Sequence, residues 1–546
     1  MIDVDTAQLQ EVLQRAEQAL DAQDAGLIRA VFQSYAYVAG LVEDKNTSIR
    51  RLRQLFFGAR TEKTEAVVGR RADEPVTTGP GGTAAAEVAA GEADADAAPD
   101  ADPEPAAPGH GRNGADAYRG AERIELPHPS LSAGDPCPAC GAGIVYDKAP
   151  GVLVRITGQP PLAATIYQLQ KLRCHLCGQV FTAPAPSEAG GAKYEATAGS
   201  MIGLLKYGSG LPFNRLAGLQ GHLGIPLPAS TQWDIVQAVA TNLAPAFEEL
   251  IRQAAQGEVL HNDDTTVKIL ELMGERGRPE ALAGSEGEGD DADRRSGLFT
   301  SGVVALREGR RVALFFSGHR HAGENLAEVL KRRAAELPPP IQMCDALSRN
   351  LPGELQTILA HCLAHARRQF VDIYERFPEP CRYLLEALAV VYRNDAVARE
   401  RRLAPEARLQ WHQEASGPTL RQLHDWLARQ LDEKLAEPNS ALGGAIRYML
   451  RHWEKLTLFL RQAGAPLDNN ICERALKRAI LHRKNALFYR TENGARVGDL
   501  FMSLIYTCQL NEANPFDYLT QLQRHADQLA ASPELWMPWN YPAALA

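Results

Sequence analysis

The sequence predicts a multidomain α+β protein: a mixed sheet with flanking helices, interrupted by a helical insertion and preceded by a coiled-coil helix and a small zinc-ribbon module. Three observations predict it. Between Glu258 and Leu510, three strand-like runs, a helix and a fourth strand-like run are followed by helical spacing alone. Upstream, four cysteines stand as two CxxC pairs. Near the start, apolar residues recur with alternating steps of three and four.

The first element spans residues 1–71. Ile28, Val31, Tyr35, Val38, Val42, Lys45, Ile49, Leu52 and Phe56 form a coiled-coil seam in which Lys45 is the polar position that sets register at some cost in stability. Self-association through this seam is expected, against the alternative of one amphipathic helix lying on its own chain. Arg50, Arg51, Arg53 and Arg60 make its end basic, as a segment following a phosphate backbone would be, although a solvated face would look the same. Residues 72–107 hold nine acids and no Lys or Arg. Their Ala/Gly/Pro/Asp composition cannot bury enough apolar surface to offset chain entropy, so a disordered acidic linker is expected. The segment also accounts for the net charge of −9, because the remaining 58 acids face 58 bases. The acidic balance therefore does not exclude a nucleic-acid partner.

Residues 108–190 carry Cys137-Pro-Ala-Cys140 and Cys174-His-Leu-Cys177. In a reducing compartment such pairs favour a tetrahedral structural Zn²⁺ over disulfides, and four thiolates leave no open position for catalysis. The 33-residue gap is long for a ribbon, with Val152–Ile156 and Ala164–Leu169 as its expected strands. Residues 191–256 are helical in spacing, with a break at Gly224–Thr231 after which Ser230 or Thr231 could cap a helix from Gln232 to Leu243. That order resembles a helix-turn-helix, with Lys206 and Arg215 as phosphate contacts, while Trp233 and Val236 are equally readable as core.

The core itself is expected over 257–376 and 466–510. Asp263 sits within a β-branched run from Val259 to Ile269, Asp345 ends the run Ile341–Cys344, and Glu473 opens a helix after Asp468-Asn-Asn470. Gly297–Leu306 and Arg311–Ser317 read as a hairpin, and Ala322–Leu337 as a helix. This is the order of an RNase H-like core, in which two strand acids and a helix acid can hold two Mg²⁺ (or Mn²⁺) for chemistry on phosphates. Each acid also has a structural reading: Asp263-Asp264 as a turn, and Asn470-x-x-Glu473 as a capping box. Strand alternation allows only one of Asp263 and Asp264 to face the metals, and Asp263 is preferred. Gly274–Ser296, rich in Gly and acids, reads as a surface loop.

Bases crowd the third acid: Arg474, Lys477, Arg478, Arg483 and Lys484. Lys477 lies four residues after Glu473 and can pair with it, while the others suit DNA phosphates. His361 and His365 stand at i and i+4 without the Glu of a zincin pattern, so His365, Arg367 and Arg368 are taken as substrate-facing or structural. Residues 377–465 read as a helical insertion and 511–546 as a C-terminal tail. No long apolar run or leader is visible, so a cytoplasmic protein without membrane contact is expected.

His261-Asn-Asp-Asp-Thr265, Met343-Cys-Asp-Ala-Leu-Ser-Arg-Asn350, Cys362-Leu-Ala-His-Ala-Arg-Arg-Gln-Phe370 and Asp468-Asn-Asn-Ile-Cys-Glu-Arg-Ala-Leu476 resemble the transposases of the insertion sequence 66 family. Arg483-Lys-Asn-Ala-Leu-Phe488 and Ser503-Leu-Ile-Tyr-Thr507 extend the likeness. The resemblance implies a DDE transposase whose acids fall on Asp263, Asp345 and Glu473. It also implies DNA cleavage at element ends, strand transfer into target DNA, a homo-oligomer assembled on DNA and element-encoded helper proteins. Two alternatives stand beside it: an RNase H-like nuclease without strand transfer, and a non-catalytic zinc-containing DNA-binding protein left by a decayed element.

Overall fold

The computed structural model describes residues 129–136, 138, 144–145, 159–173, 180–273 and 297–545. The expected coiled coil and its basic end, the acidic 72–107 segment, Cys137, Cys140, Cys174, Cys177 and the Gly274–Ser296 loop lie outside the described residues. The chain divides into two units, residues 74–165 and the remainder. In the first, Pro136 and Ile144 pair as an isolated antiparallel bridge, with Val145 donating to the Asp135 carbonyl at 2.9 Å.

The larger unit begins with a hairpin of β1 (Lys171–Arg173) and β2 (Val180–Thr182). The strand expected at 164–169 is not formed. Those residues are exposed and unpaired, and pairing starts at Lys171, where Leu172 meets Phe181 across the ladder.

Among the described residues, the main sheet comprises β3 (Val259–Thr266), β4 (Phe299–Arg307), β5 (Arg310–Gly318), β6 (Ile341–Cys344) and β7 (Ile358–His361) in the order β5-β4-β3-β6-β7. β5, β4 and β3 run antiparallel, and β3, β6 and β7 parallel. This is the expected mixed sheet, compatible with a nuclease-like core. β4 and β5 are joined through Glu308 and Gly309, both at positive φ (50° and 79°), as a tight hairpin requires. β7 was not expected: at four residues in a parallel pairing it shows no alternation to read.

Helices flank the sheet. Before it come α1 (Ala196–Gly203), which runs into a π turn over Leu204–Gly208, then α2 (Phe213–His222) and α3 (Ala229–Ala255). α3 starts earlier and runs longer than expected. Pro228 holds its N-cap position, so neither Ser230 nor Thr231 caps it. Val236, Val239, Leu243, Ala246 and Leu250 bury one face of α3 completely or nearly so, which makes it a packing helix. α4 (Ala322–Leu330) follows β5 and ends before the expected Leu337, where Arg333 turns to donate to the carbonyls of Ala255 (2.8 Å) and Gly257 (2.7 Å).

After β7 come α5 (Leu363–Asp372), α6 (Pro378–Glu400), α7 (Pro405–Ala415), α8 (Gly417–Asp432), α9 (Ala441–Arg451) and the short α10 (Trp453–Leu456). α6 to α10 fall in the stretch expected as a helical insertion. Its buried Leu384, Leu388, Leu423 and Ile446 join one core with Met343 and Ala360 of the sheet, so it extends the sheet's packing rather than forming a separate body. Within it Asp395 accepts from Arg408 (2.7 Å) and meets His412 (3.3 Å) and Arg399 (3.0 Å). Burial alone would raise its pKa, but these partners bring it down to about 2.

The chain then returns to the sheet with α11 (Asn470–Ala486) and α12 (Glu492–Leu510), followed by α13 (Pro515–Arg524) and α14 (Ala526–Ala531). α12 closes the edge of β5. Asp499, Ser503, Thr507 and Asn511 accept the N–H groups of Ser317 (2.7 Å), Phe315 (3.0 Å), Ala313 (3.1 Å) and Arg311 (3.1 Å) respectively. Every fourth helix residue advances about 6 Å and every second strand residue about 6.8 Å, so the two rows stay nearly in step. Among the described residues no helix is long and apolar enough to cross a membrane.

Candidate active site

The first two acids lie on adjacent parallel strands. Asp263 is in the second half of β3, opposite Gly302 of β4, and Asp345 follows directly after β6. The turn reading of Asp263-Asp264 is thereby excluded. Asp264 points elsewhere: its carboxylate is 2 % exposed, 2.8 Å from His321 Nδ1 and 3.3 Å from Arg349. Asp345 is held by the Asn350 side-chain amide and by the Leu347 N–H at 3.2 Å. Asn350 is itself fixed, because its carbonyl accepts from Asn262 (2.8 Å) and Gln342 (2.7 Å) beneath the site.

Glu473 arrives on the first turn of α11. The capping box is absent: the helix begins at Asn470, whose side chain donates to Asp468 (2.7 Å), and Glu473 turns away from the N-cap. What seats the helix is Asn469, fully buried, which meets His261 Nδ1 (3.1 Å), donates to the Asn262 carbonyl (3.1 Å) and gives its N–H to Cys362 Sγ (3.2 Å). One residue thus ties α11 to the strand of Asp263 through its side chain and to the β7–α5 junction through its backbone N–H. Cys472 adds a fourth tie, donating to the Gly302 carbonyl at 3.3 Å, in a place where Gly302 leaves room for it and Leu476.

Asp263 feels the acids around it. Burial first, and then the charges of Asp345, Asp264 and Glu473, raise the pKa of Asp263 to about 7 against a hydrogen bond from the Asp264 N–H. Glu473 Oε1 is buried with no hydrogen-bond partner among the described residues. His365 Nδ1 lies 3.7 Å from that oxygen and the Arg368 guanidinium 3.8 Å from Oε2, both beyond hydrogen-bonding reach. Cys362, His365 and Glu473 bring one donor atom each to within 4.8 Å of one another. His361, by contrast, ends β7 and packs against His452 with ring centroids 5.0 Å apart, so the i, i+4 histidine pair is not formed.

A family model described as "Transposase IS66 family" matches residues 192–282 and 303–497, taking in all three acids and the helices that carry or support them. The chain belongs to the IS66 transposase family. It is also similar to three uncharacterized proteins of Sinorhizobium fredii (strain NBRC 101917 / NGR234). y4hP is 27% identical over 78% of this chain and 76% of its own length, y4jD 28% over 68% and 71%, and y4qI 28% over 62% and 61%.

IS66 transposases bind DNA and as a family generally use a divalent metal. Among the described residues the donor atoms that lie within 4.8 Å of one another are the Cys362 thiol, the His365 imidazole and the Glu473 carboxylate, whose buried Oε1 has no hydrogen bond and is open to a cation. The bases expected to meet DNA in this IS66 member fall into two groups. Arg215, Arg474, Lys477 and Lys484 are exposed and Arg368 is half-buried. The others are committed inside the fold. Lys206 is buried beside the Phe213 ring (4.9 Å), with its pKa lowered to about 8 by burial, and Arg367 is buried in α5. Arg478 donates to the Gly208 carbonyl (2.9 Å) and to Gln509 (2.8 Å), and Arg483 to Thr265 (3.2 Å) and Thr266 (2.6 Å) at the end of β3. Asn350 and Asn469 were missed as supporting residues. Their signal was the pair of buried-type amides flanking the second and third acids, which sequence spacing cannot separate from turn formers.

Proposed function

We propose that this chain cuts DNA at the ends of an insertion element and joins the freed 3′ ends to target DNA, with Asp263, Asp345 and Glu473 as its catalytic acids. The observation that supports the reading is a buried Asp263 on a strand that feels the charges of Asp345 at a strand end and Glu473 on a helix, with one Glu473 oxygen left without a hydrogen bond. A pair of Mg²⁺ or Mn²⁺ ions held by the three carboxylates would supply charge stabilisation for in-line displacement at phosphorus.

The protein's own part is positioning. Asn350 orients Asp345 and Asn469 seats Glu473, so the acids are placed before substrate arrives. Asp264 serves as a brace between β3, α4 and Arg349. Lys477 and Lys484 lie four and eleven residues after Glu473, on the same face of α11 and exposed, and would carry a phosphate backbone toward the acids. Because Asp263 must lose its proton to accept a cation, loading and cleavage should rise as pH passes through about 7.

The test is Mg²⁺-dependent nicking of a plasmid bearing the element's ends. Asp263→Asn, Asp345→Asn and Glu473→Gln should each reduce it by about 10²–10³-fold. Unchanged cleavage in all three would overturn the assignment. Pre-cut ends incubated with target DNA then separate the two activities: joined products support transposition, and nicks alone leave a nuclease.

A further inference from the structure

Beyond β3 the chain continues through Lys268 and Ile269 and pairs with the segment after α11. Ile269 bridges Tyr489 in parallel, Tyr489 donates to the Lys268 carbonyl (2.8 Å), and Leu270 donates to the Tyr489 carbonyl (2.9 Å). Ile269 and Tyr489 are buried, at 0% and 7% exposure. Alternation therefore turns their neighbours outward together: Lys268 and Arg490 are exposed, and so are Leu270 (45 %) and Phe488 (43 %). Immediately before them Leu487 ends α11 at φ +70°, a conformation costly for a non-glycine residue, with its side chain 62 % exposed. Arg483, bonded to Thr265 and Thr266, locks this turn to the strand of Asp263.

We infer that Phe488, flanked by Lys268 and Arg490, is a stacking platform for an unpaired base of the DNA near the cleavage position. An aromatic face between cations matches a splayed nucleotide, whose base stacks and whose phosphates pair, better than it matches an intact duplex. The inference rests on the DNA-cutting reading. Lys268 is five residues from Asp263, at most about 17 Å along a strand, or about five base steps of DNA. The platform therefore belongs to nucleotides within that reach of the acids.

The test uses the full chain without divalent cation. The probes are a duplex ending in a single-stranded arm about five nucleotides long carrying 2-aminopurine, and a blunt duplex of the same sequence. Wild type should prefer the forked probe and quench its fluorescence. Phe488→Ala should weaken forked binding about tenfold and restore fluorescence, leaving blunt binding and Tm unchanged, whereas Phe488→Tyr should behave as wild type. Lys268→Ala should weaken both probes alike. Equal forked binding by Phe488→Ala and wild type overturns the inference. So does a Phe488→Ala without effect combined with tighter binding of both probes after deletion of 274–296, which would show that the chain's own segment covers the patch. Fork preference lost in Phe488→Ala without any metal-dependent cleavage would sink the nuclease reading and leave the platform. Cleavage without a Phe488 effect would do the reverse.

Discussion

Two neighbouring aspartates with opposite fates show how much a single side chain's surroundings decide. That one of Asp263 and Asp264 must face the other acids follows from strand alternation and can be read directly. Which face is occupied by His321 and Arg349 cannot, because those partners lie 57 and 85 positions away and no local spacing announces them. The same holds for Asn350, whose role appears only when β6 and β3 are side by side. Asn350→Ala should leave the fold intact and weaken cation affinity or cleavage about 10–100-fold, measured as the Mg²⁺ concentration for half-maximal nicking. Asp263 offers a sharper check. Its folded pKa, near 7, lies above its ordinary value of 3.8, so the folded chain retains a proton that the unfolded chain releases. The associated stability is present below about pH 4 and is lost as pH rises through 7. In metal-free buffer Asp263→Asn should therefore melt above wild type at pH 8 and level with it at pH 4, and added Mg²⁺ should raise the wild type's Tm only.

At the scale of elements, strands with β-branched residues and helices with clear apolar spacing were readable, and their ends were not. α3 gained residues on both sides of its expected limits and α4 lost its last turns, each through contacts with distant segments. The helix of Glu473 is legible as a helix, and the capping box that stood as its structural alternative is not formed. A fully buried Asn469 instead bonds twice to β3. Asn469→Ala would leave the Asn262 carbonyl and His261 short of a partner and should cost about 1–3 kcal/mol, with a larger loss of cleavage as Glu473 shifts, seen by parallel denaturation and nicking assays. Ser503 and Thr507 were visible as part of a family motif without a reason. The reason is the unpaired edge of β5, whose N–H groups they satisfy. Thr507→Val should cost about 1–3 kcal/mol by leaving the Ala313 N–H buried and unmet.

For the whole molecule, net charge misleads and local charge informs. The excess of nine acids over bases lies in 72–107, while exposed bases line the helix that carries Glu473. Binding to arbitrary duplex should fall steeply with salt, and Lys477→Ala should reduce the slope of log K against log salt by about 0.9, the share of one phosphate. The helical insertion was legible as helices, but its union with the parallel half of the sheet was not, since that requires knowing which strands lie beside it. The helix that seals β5 has one more consequence, and it concerns time. Its sealing side chains lie 182–200 residues downstream of the backbone groups they cover. At synthesis rates of about 5–20 residues per second, a nascent chain carries that bare, apolar strand for about 10–40 s before its cover leaves the ribosome. Val312 to Phe316 thus wait uncovered during translation, and chains stalled before Glu492 should aggregate where full-length chains do not.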